Sequence, residues 1–317
     1  MEKLKPFGKN LSEQLKASRR DKLYQFLLQE KTIRGAALHA TRLVNEMRSN
    51  HNCGPLETLI LGQAYIAAGL MSVNLKPPDR LRIKINCDGP LQGLIAETNA
   101  FGEVRGYLLS NPIIISMNNK TPTISKLFGK GTIEITKFTG SEERQFNSII
   151  EIRHGSIAKD LTNYFNSSEQ IPNAFNLDVS FDKRGNIIGA GGIFLQAMPD
   201  AELDRISDLE TIIKNLSSIG LILHTTKSVE SFIKKSFADH NPEIISSRRM
   251  AFMCHCNSDS FQKHLGALPM KDLTDIFHNG PYPVITTCKH CNTSYEYNRD
   301  IFKQLISQKE SKQNDAT

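Results

Sequence analysis

The chain has 317 residues, 39% of them apolar, and its 20 glycines bring that share to about 45%. This is the make-up of a folded globular protein, and it excludes wholesale disorder. The length allows two domains with a sizeable core, and six cysteines are too few for a small disulfide scaffold. The net charge of +6 sits in residues 1–50, which carry 11 Lys+Arg against 5 Asp+Glu, whereas residues 251–317 carry 7 against 7. A C-terminal nucleic-acid-reading module would concentrate basic charge, so that neutral balance argues against one. The basic N-terminus is read as a solvated helical face. The opening MEKLKPFGKN has no apolar run behind its basic residues, so no secretory signal is expected.

Taken in order, the pattern predicts two helical stretches in residues 1–50. One includes Leu23, Phe26 and Leu27, the other Ala36, Ala37, Leu43 and Met47. Gly54 to Val73 predicts a long apolar helix. Glu57, Gln63 and its small residues suit a core helix better than a membrane span, and Gly62 and Gly69 imply close packing. Arg80 to Asn86 alternates apolar and basic residues, the period of a half-buried strand, and Asp88-Gly89 turns it into a returning strand over Leu91 to Glu97. Ile113 to Met117, Thr132 to Thr136 and Ile149 to Ile152 are further strand candidates. Ser156 to Tyr164 predicts a helix with Ser156 as N-cap. Ala174 to Phe181 and Ile187 to Gln196 predict two strands about the turn Asp182 to Asn186.

Gly189-Ala190-Gly191-Gly192 resembles a nucleotide loop only superficially. Position 194 is Phe, and the run continues a strand instead of opening a helix. Close sheet packing explains it better. No Ser/His/Asp order and no paired carboxylates stand out, so no enzyme is expected. Met198-Pro199-Asp200 breaks the chain. Ile206, Leu209, Ile212, Ile213, Leu216 and Ile219 then recur at helical spacing, and Val229, Phe232, Ile233 and Phe237 form a second apolar face. Both stripes must be buried on something, and the N-terminal domain is the expected partner.

The cysteines divide sharply. Cys53 and Cys87 stand alone and read as buried fillers. Cys254 and Cys256 form C-x-C, and after 31 residues Cys288 and Cys291 form C-x-x-C. Two close pairs separated by a loop are how a chain builds one four-thiolate zinc site. His255, His264, His278 and His290 lie nearby, but four cysteines already satisfy zinc, so the histidines are read as surface or supporting residues. Pro269 splits the intervening helical pattern and Asn279-Gly280-Pro281 stops it. Vicinal thiols held by zinc suggest a redox switch: oxidation removes the ligands, and with them the metal's contribution to folding. The alternatives are a zinc-ribbon nucleic-acid binder and a thiol oxidoreductase using Cys288 and Cys291.

These residues carry a family resemblance. The cysteine pattern, preceded by Phe252-Met253 and followed by Tyr295, resembles the thirty-three-kilodalton heat-shock family of redox-regulated holdase chaperones. Gly54-Pro55-Leu56, Asp88-Gly89-Pro90, Arg105-Gly106-Tyr107, Ser168 to Pro172, and Gly191 to Gln196 before Pro199 agree with it, from about residue 20 to 305. Phe146 to Ile150 and Ser246-Ser247-Arg248-Arg249 depart from the pattern. The resemblance implies one zinc ion on Cys254, Cys256, Cys288 and Cys291 in an inactive reduced state. It implies Cys254–Cys256 and Cys288–Cys291 disulfides after oxidation. It further implies a metastable linker, and an active homodimer that holds unfolding client proteins without ATP in the cytoplasm. The expected fold class is α+β: a chaperone core over 1–195, an amphipathic linker over 196–250, a redox-sensing zinc module over 251–305 and a polar tail over 306–317.

Overall fold

The computed structural model describes residues 1, 10, 13, 21–29, 31–115, 123–140, 144–199, 201, 211, 213, 216, 218–226 and 228–314. The α+β class is as expected. The chain forms two compact units, one ending at Met253 and the other starting at Cys254.

The first unit begins with β1 (Lys22–Leu28), β2 (Ile33–His39), α1 (Thr41–His51) and α2 (Pro55–Met71). It continues through β3 (Arg80–Cys87), β4 (Gly93–Asn99), β5 (Glu103–Leu108), α3 (Ile124–Phe128), β6 (Gly131–Thr139) and β7 (Arg144–Glu151). Next come α4 (Ile157–Tyr164), β8 (Asn173–Phe181) and β9 (Ile187–Ala197). The unit closes with α5 (Ile219–Thr225), α6 (Val229–Ser236), β10 (Glu243–Arg249) and β11 (Ala251–Phe252). One sheet has the order β10-β1-β2-β9-β8 and is antiparallel throughout. The other has the order β11-β5-β4-β3-β6-β7, antiparallel except for the two-residue β11, which runs parallel to β5.

The two helical stretches expected in residues 1–50 are corrected: residues 22–28 and 33–39 are strands, and the helix starts only at Thr41. The cause is burial on both faces. Leu23 turns to one face of the sheet and Phe26 and Leu28 to the other, and β2 is buried without interruption from Gly35 to His39, so no alternation survives. The Asp21 carboxylate begins α1, accepting the Leu43 N–H at 2.6 Å. Ile113 to Ile115 are not strand, and Met117 lies outside the described residues. Ser156 makes no side-chain cap. Asp160 does that work instead, accepting the N–H groups of Arg153, His154 and Ser156 at 2.9, 2.9 and 3.0 Å.

Helix α2 has the predicted span and packs against strands of both sheets. The Tyr65 hydroxyl donates to Gly106 O at 3.0 Å on β5, and Gln63 donates to Leu177 O at 3.4 Å on β8. The glycines of β9 serve packing, as expected. A Cβ at Gly189 would lie 2.6 Å from Gly220 O, so α5 can approach the strand only because both positions lack side chains.

Of the expected linker, Ile206, Leu209 and Ile212 lie outside the described residues. The rest folds onto the first sheet. Ile213, Ile219, Leu223, Val229, Phe232, Ile233 and Phe237 are buried against Phe26, Leu28, Ile33, Ala37, Ile193 and Leu195. Polar contacts fasten the same segment. Asn176 donates to Ile213 O and Leu216 O at 3.0 and 2.8 Å, and Asp178 accepts the Gly220 N–H at 3.0 Å.

The second unit contains α7 (Ser258–Gly266), α8 (Met270–Asn279), the hairpin β12 (Val284–Thr287) and β13 (Ser294–Tyr297), and α9 (Arg299–Asn314). As predicted, Pro269 separates the two helices, standing at the N-cap of α8, and Gly280 ends α8 at φ +58°. The fully enclosed part of its core is small: Leu273, Tyr297, Phe302 and Leu305, ringed by half-buried side chains. A unit of this size with so few buried side chains needs a staple.

Candidate metal centre

The second unit is built around its cysteines. Hairpin β12–β13 pairs Thr287 with Ser294 at its closed end, and Cys288 and Cys291 occupy the tip. Cys288 N donates to Thr293 O at 2.9 Å, and Cys288 O accepts the Cys291 and Asn292 N–H groups at 3.3 and 2.7 Å. With Asn292 in the left-handed region at φ 56°, the chain folds back as a tight knuckle. Cys254 and Cys256 arrive immediately before α7, whose first turn is capped by Asn257 accepting the Ser260 N–H at 2.8 Å.

The four sulfurs lie within 4.8 Å of one another. Cys254 and Cys288 are 3.8 Å apart and Cys256 and Cys291 are 3.3 Å apart. Four thiolates on a tetrahedral zinc at about 2.3 Å would stand about 3.8 Å from each other. Among the described residues no histidine or carboxylate joins the group. His255, His264 and His278 are exposed and His290 is half-buried. Three of the four cysteines are buried, and Cys256 is half-buried.

Electrostatics supports the same assignment. Hydrogen bonding to the Cys254 sulfur, followed by burial, pushes the Cys288 thiol up to about 11. Cys291 is raised as well, by Cys254 first and Cys288 next. Four thiols packed this closely cannot all ionise together unless a cation sits among them. The donor set is therefore that of a soft divalent ion, with zinc as the best fit.

Two side chains that the sequence did not mark as functional complete the cluster. Thr293 Oγ1 is 3.2 Å from Cys291 Sγ. The Tyr295 hydroxyl donates to Cys256, at 3.0 Å from its O and 3.2 Å from its Sγ. Burial, then the neighbouring Cys256, raises Tyr295 above its usual value, so the hydroxyl stays a donor. Thr293 follows the left-handed Asn292 and Tyr295 lies within β13, so both contacts come from the knuckle and the hairpin register, which residue spacing alone does not reveal.

The lone cysteines lie in the first unit. Burial, then Glu57, pushes Cys53 up to about 12, and burial pushes Cys87 up to about 11.

An α+β unit of two sheets, joined in sequence to a small four-thiol module, is the architecture that three comparisons find among chaperones. The model of the family described as Hsp33 protein matches residues 21–298. The 33 kDa chaperonin of Ruminiclostridium cellulolyticum is 29% identical over 279 residues, covering 87% of this chain and 94% of that protein. The 33 kDa chaperonin of Acholeplasma laidlawii is 30% identical over 276 residues, covering 85% and 93%. The crystal structure of the 33 kDa chaperonin (heat shock protein 33 homolog) of Thermotoga maritima superposes with a TM-score of 0.81 at 26% identity, over 92% of this chain and 99% of that one. The chain belongs to the Hsp33 family.

Proposed function

We propose that this chaperone is a redox-regulated, ATP-independent holdase, inactive while Cys254, Cys256, Cys288 and Cys291 are reduced and hold one zinc ion. The observation that carries this is the meeting of four sulfurs within 4.8 Å in a unit with so small a core. Zinc bound there would tie the Cys254–Cys256 segment to the Cys288–Cys291 knuckle and keep the sulfurs as thiolates. Structural zinc sites of this kind contribute about 10–16 kcal/mol of apparent folding free energy. Oxidising the four cysteines removes every ligand, and the unit must then stand on its apolar cluster alone.

The pairing we propose is Cys254 with Cys256 and Cys288 with Cys291, each disulfide taking two electrons from its thiols. The activation step is opening of the 196–250 linker region. Its helices α5 and α6 cover the apolar face formed by Phe26, Ile33, Ile193 and Leu195, and their departure would bare a surface of the kind unfolding proteins bind. We further propose a homodimer in the oxidised state, a cytoplasmic location where thiols stay reduced, and no catalytic turnover. Residues 251–317 have balanced charge, so a nucleic-acid partner is not favoured.

The test counts zinc and free thiols before and after hydrogen peroxide at raised temperature, while following aggregation of an unfolding test protein. One zinc and four thiols lost, with aggregation suppressed only afterwards, is the expected result. Zinc retained, or lost without any gain in holding activity, overturns the proposal.

A further inference from the structure

We propose that a histidine pair, His39 and His224, makes the hold of α5 on the first sheet sensitive to pH, so that acid loosens the linker while the cysteines stay reduced. His39 closes β2 and is 3% exposed. Its Nδ1 lies 2.8 Å from Oδ1 of Asp21, which is 1% exposed. The same carboxylate accepts the Leu43 N–H, so it is held in place. The imidazole of His39 thereby aims Nε2 at His224 Nδ1 on α5, 3.2 Å away. The two ring planes differ by 14° and their centroids are 5.5 Å apart. That separation is close to the nitrogen–nitrogen distance plus two ring radii, so the rings meet end to end and not face to face. The contact is a straight N–H···N hydrogen bond between the core and the linker.

Such a bond needs one proton between its two nitrogens. In the neutral pair one ring donates and the other accepts. One added proton is tolerated: a cationic His39 donates at both nitrogens, to Asp21 and to His224. A second is not, because both facing nitrogens then carry hydrogen and two like charges meet. Thr41 Oγ1, 3.2 Å from His39 Nε2, can take that ring's proton. It is therefore His224 that must turn away, and α5 loses its polar tie to β2.

Helix α5 packs on β2, β8 and β9. Strand β9 has no ionisable residue, and β2 has besides His39 only Arg34, which donates to Asn74 at 2.6 Å. Strand β8 brings Asp178, which accepts the Gly220 N–H at 3.0 Å and the Ser180 hydroxyl at 2.6 Å. Carboxylates as a class titrate about 2.6 units below histidines, so the histidine range belongs to this pair. The sign follows from proton counting. The closed state holds at most one added proton on the two rings, and the open state holds two. Opening takes up a proton, so the stability of the closed state is lost as pH falls through the histidine range. The apolar contacts of α5 are unaffected by protonation, and the change is a local loosening.

This inference rests on the proposed function only in treating α5 as part of the opening linker. The experiment uses full-length, reduced, zinc-loaded protein. Amide exchange over 219–226, corrected for the intrinsic effect of pH, is followed from about pH 7.5 to about pH 5.5, a range that spans the ordinary histidine value. The unaltered chain is compared with His224→Gln, which keeps a hydrogen-bonding side chain but cannot gain a charge. Zinc content is read in the same samples. In the unaltered chain, opening of α5 should rise by up to about tenfold per pH unit, the slope of one proton, with zinc retained. In the variant it should stay level. Because the slope is the readout, a change in the variant's overall stability does not obscure it, and any pH effect common to both chains cancels. Equal slopes, or opening that only follows zinc loss, overturn the proposal. In parallel, reduced protein at the acid end of the range is tested for suppression of aggregation. Acid opening of α5 without suppression would overturn the linker's role in the proposed function and leave this inference standing.

Discussion

Arg248 on β10 reaches across to Ser72, just beyond the end of α2: its guanidinium donates to the Ser72 carbonyl and lies 3.1 Å from Ser72 Oγ. The same group donates to Ala100 O at 2.7 Å. Burial lowers Arg248 from its ordinary value, yet an arginine stays charged in this setting. Helix ends leave carbonyls without intrahelical partners, and a cation suits them. A residue outside the apolar pattern thereby fastens β10, the edge strand beside β1.

Replacing that cation by an apolar side chain should loosen β10 first. For Arg248→Met, amide exchange over 243–249 should rise by about ten- to a hundredfold, matching the 1.5–3 kcal/mol of hydrogen bonds to a charged group. Exchange in α2 should stay slow. Unchanged exchange in β10 would show that pairing with β1 alone holds it.

Asn176 is the corresponding fastener for the segment leading into α5. Asn176→Ala would free the Ile213 and Leu216 carbonyls, costing about 2 kcal/mol at about 1 kcal/mol per bond. The opening equilibrium should shift about thirtyfold, visible as faster proteolysis between residues 200 and 226 in the reduced protein. Partial suppression of aggregation without oxidant should accompany it. Faster proteolysis with no such activity would separate linker opening from client holding.

Cys53 and Cys87 should be poor nucleophiles in the folded protein. With thiols raised to about 12 and about 11, the reactive thiolate is scarce at pH 8 and grows about tenfold per pH unit until the pKa is approached. Alkylation of the native chain at pH 8 should therefore spare both, while denaturation exposes all six. Labelling at a rate typical of a free thiol would contradict the burial of Cys53 and the partial burial of Cys87.

Stripping zinc from reduced protein with a strong chelator should unfold the second unit selectively. The enclosed cluster of Leu273, Tyr297, Phe302 and Leu305 is too small to replace about 10–16 kcal/mol. Cleavage sites should open within 254–311 while the first unit keeps its protection. A chelated protein as resistant as the loaded one would mean that the ion is not structural.

How much of this was legible depends on what each residue answers to. That the four cysteines come together could be read because close pairing is a local property of the chain. So could α2, where apolar residues run on for turns, and β3–β4, where alternation flanks Asp88-Gly89. β1 and β2 were misread because Leu23, Phe26 and Ala36 to Leu38 are buried on both faces, leaving a spacing that imitates a helix. β10 was missed because Ser246, Ser247 and Arg248 carry no strand signal of their own; the edge of β1 and the carbonyls near α2 give them their conformation. The Tyr295–Cys256 contact needed the register of a hairpin that spacing alone does not supply.

Helix α2 has a further consequence. Pro55–Asn74 is long and apolar enough to cross a membrane, and 78% of its most apolar window is buried inside the fold. Set loose in water, such a segment would be among the stickiest pieces of polypeptide in the cell. A chaperone built around it cannot respond to stress by melting as a whole, because it would then coagulate with the proteins it ought to keep apart. The linker opening proposed above would leave this keel shut while the margins yield.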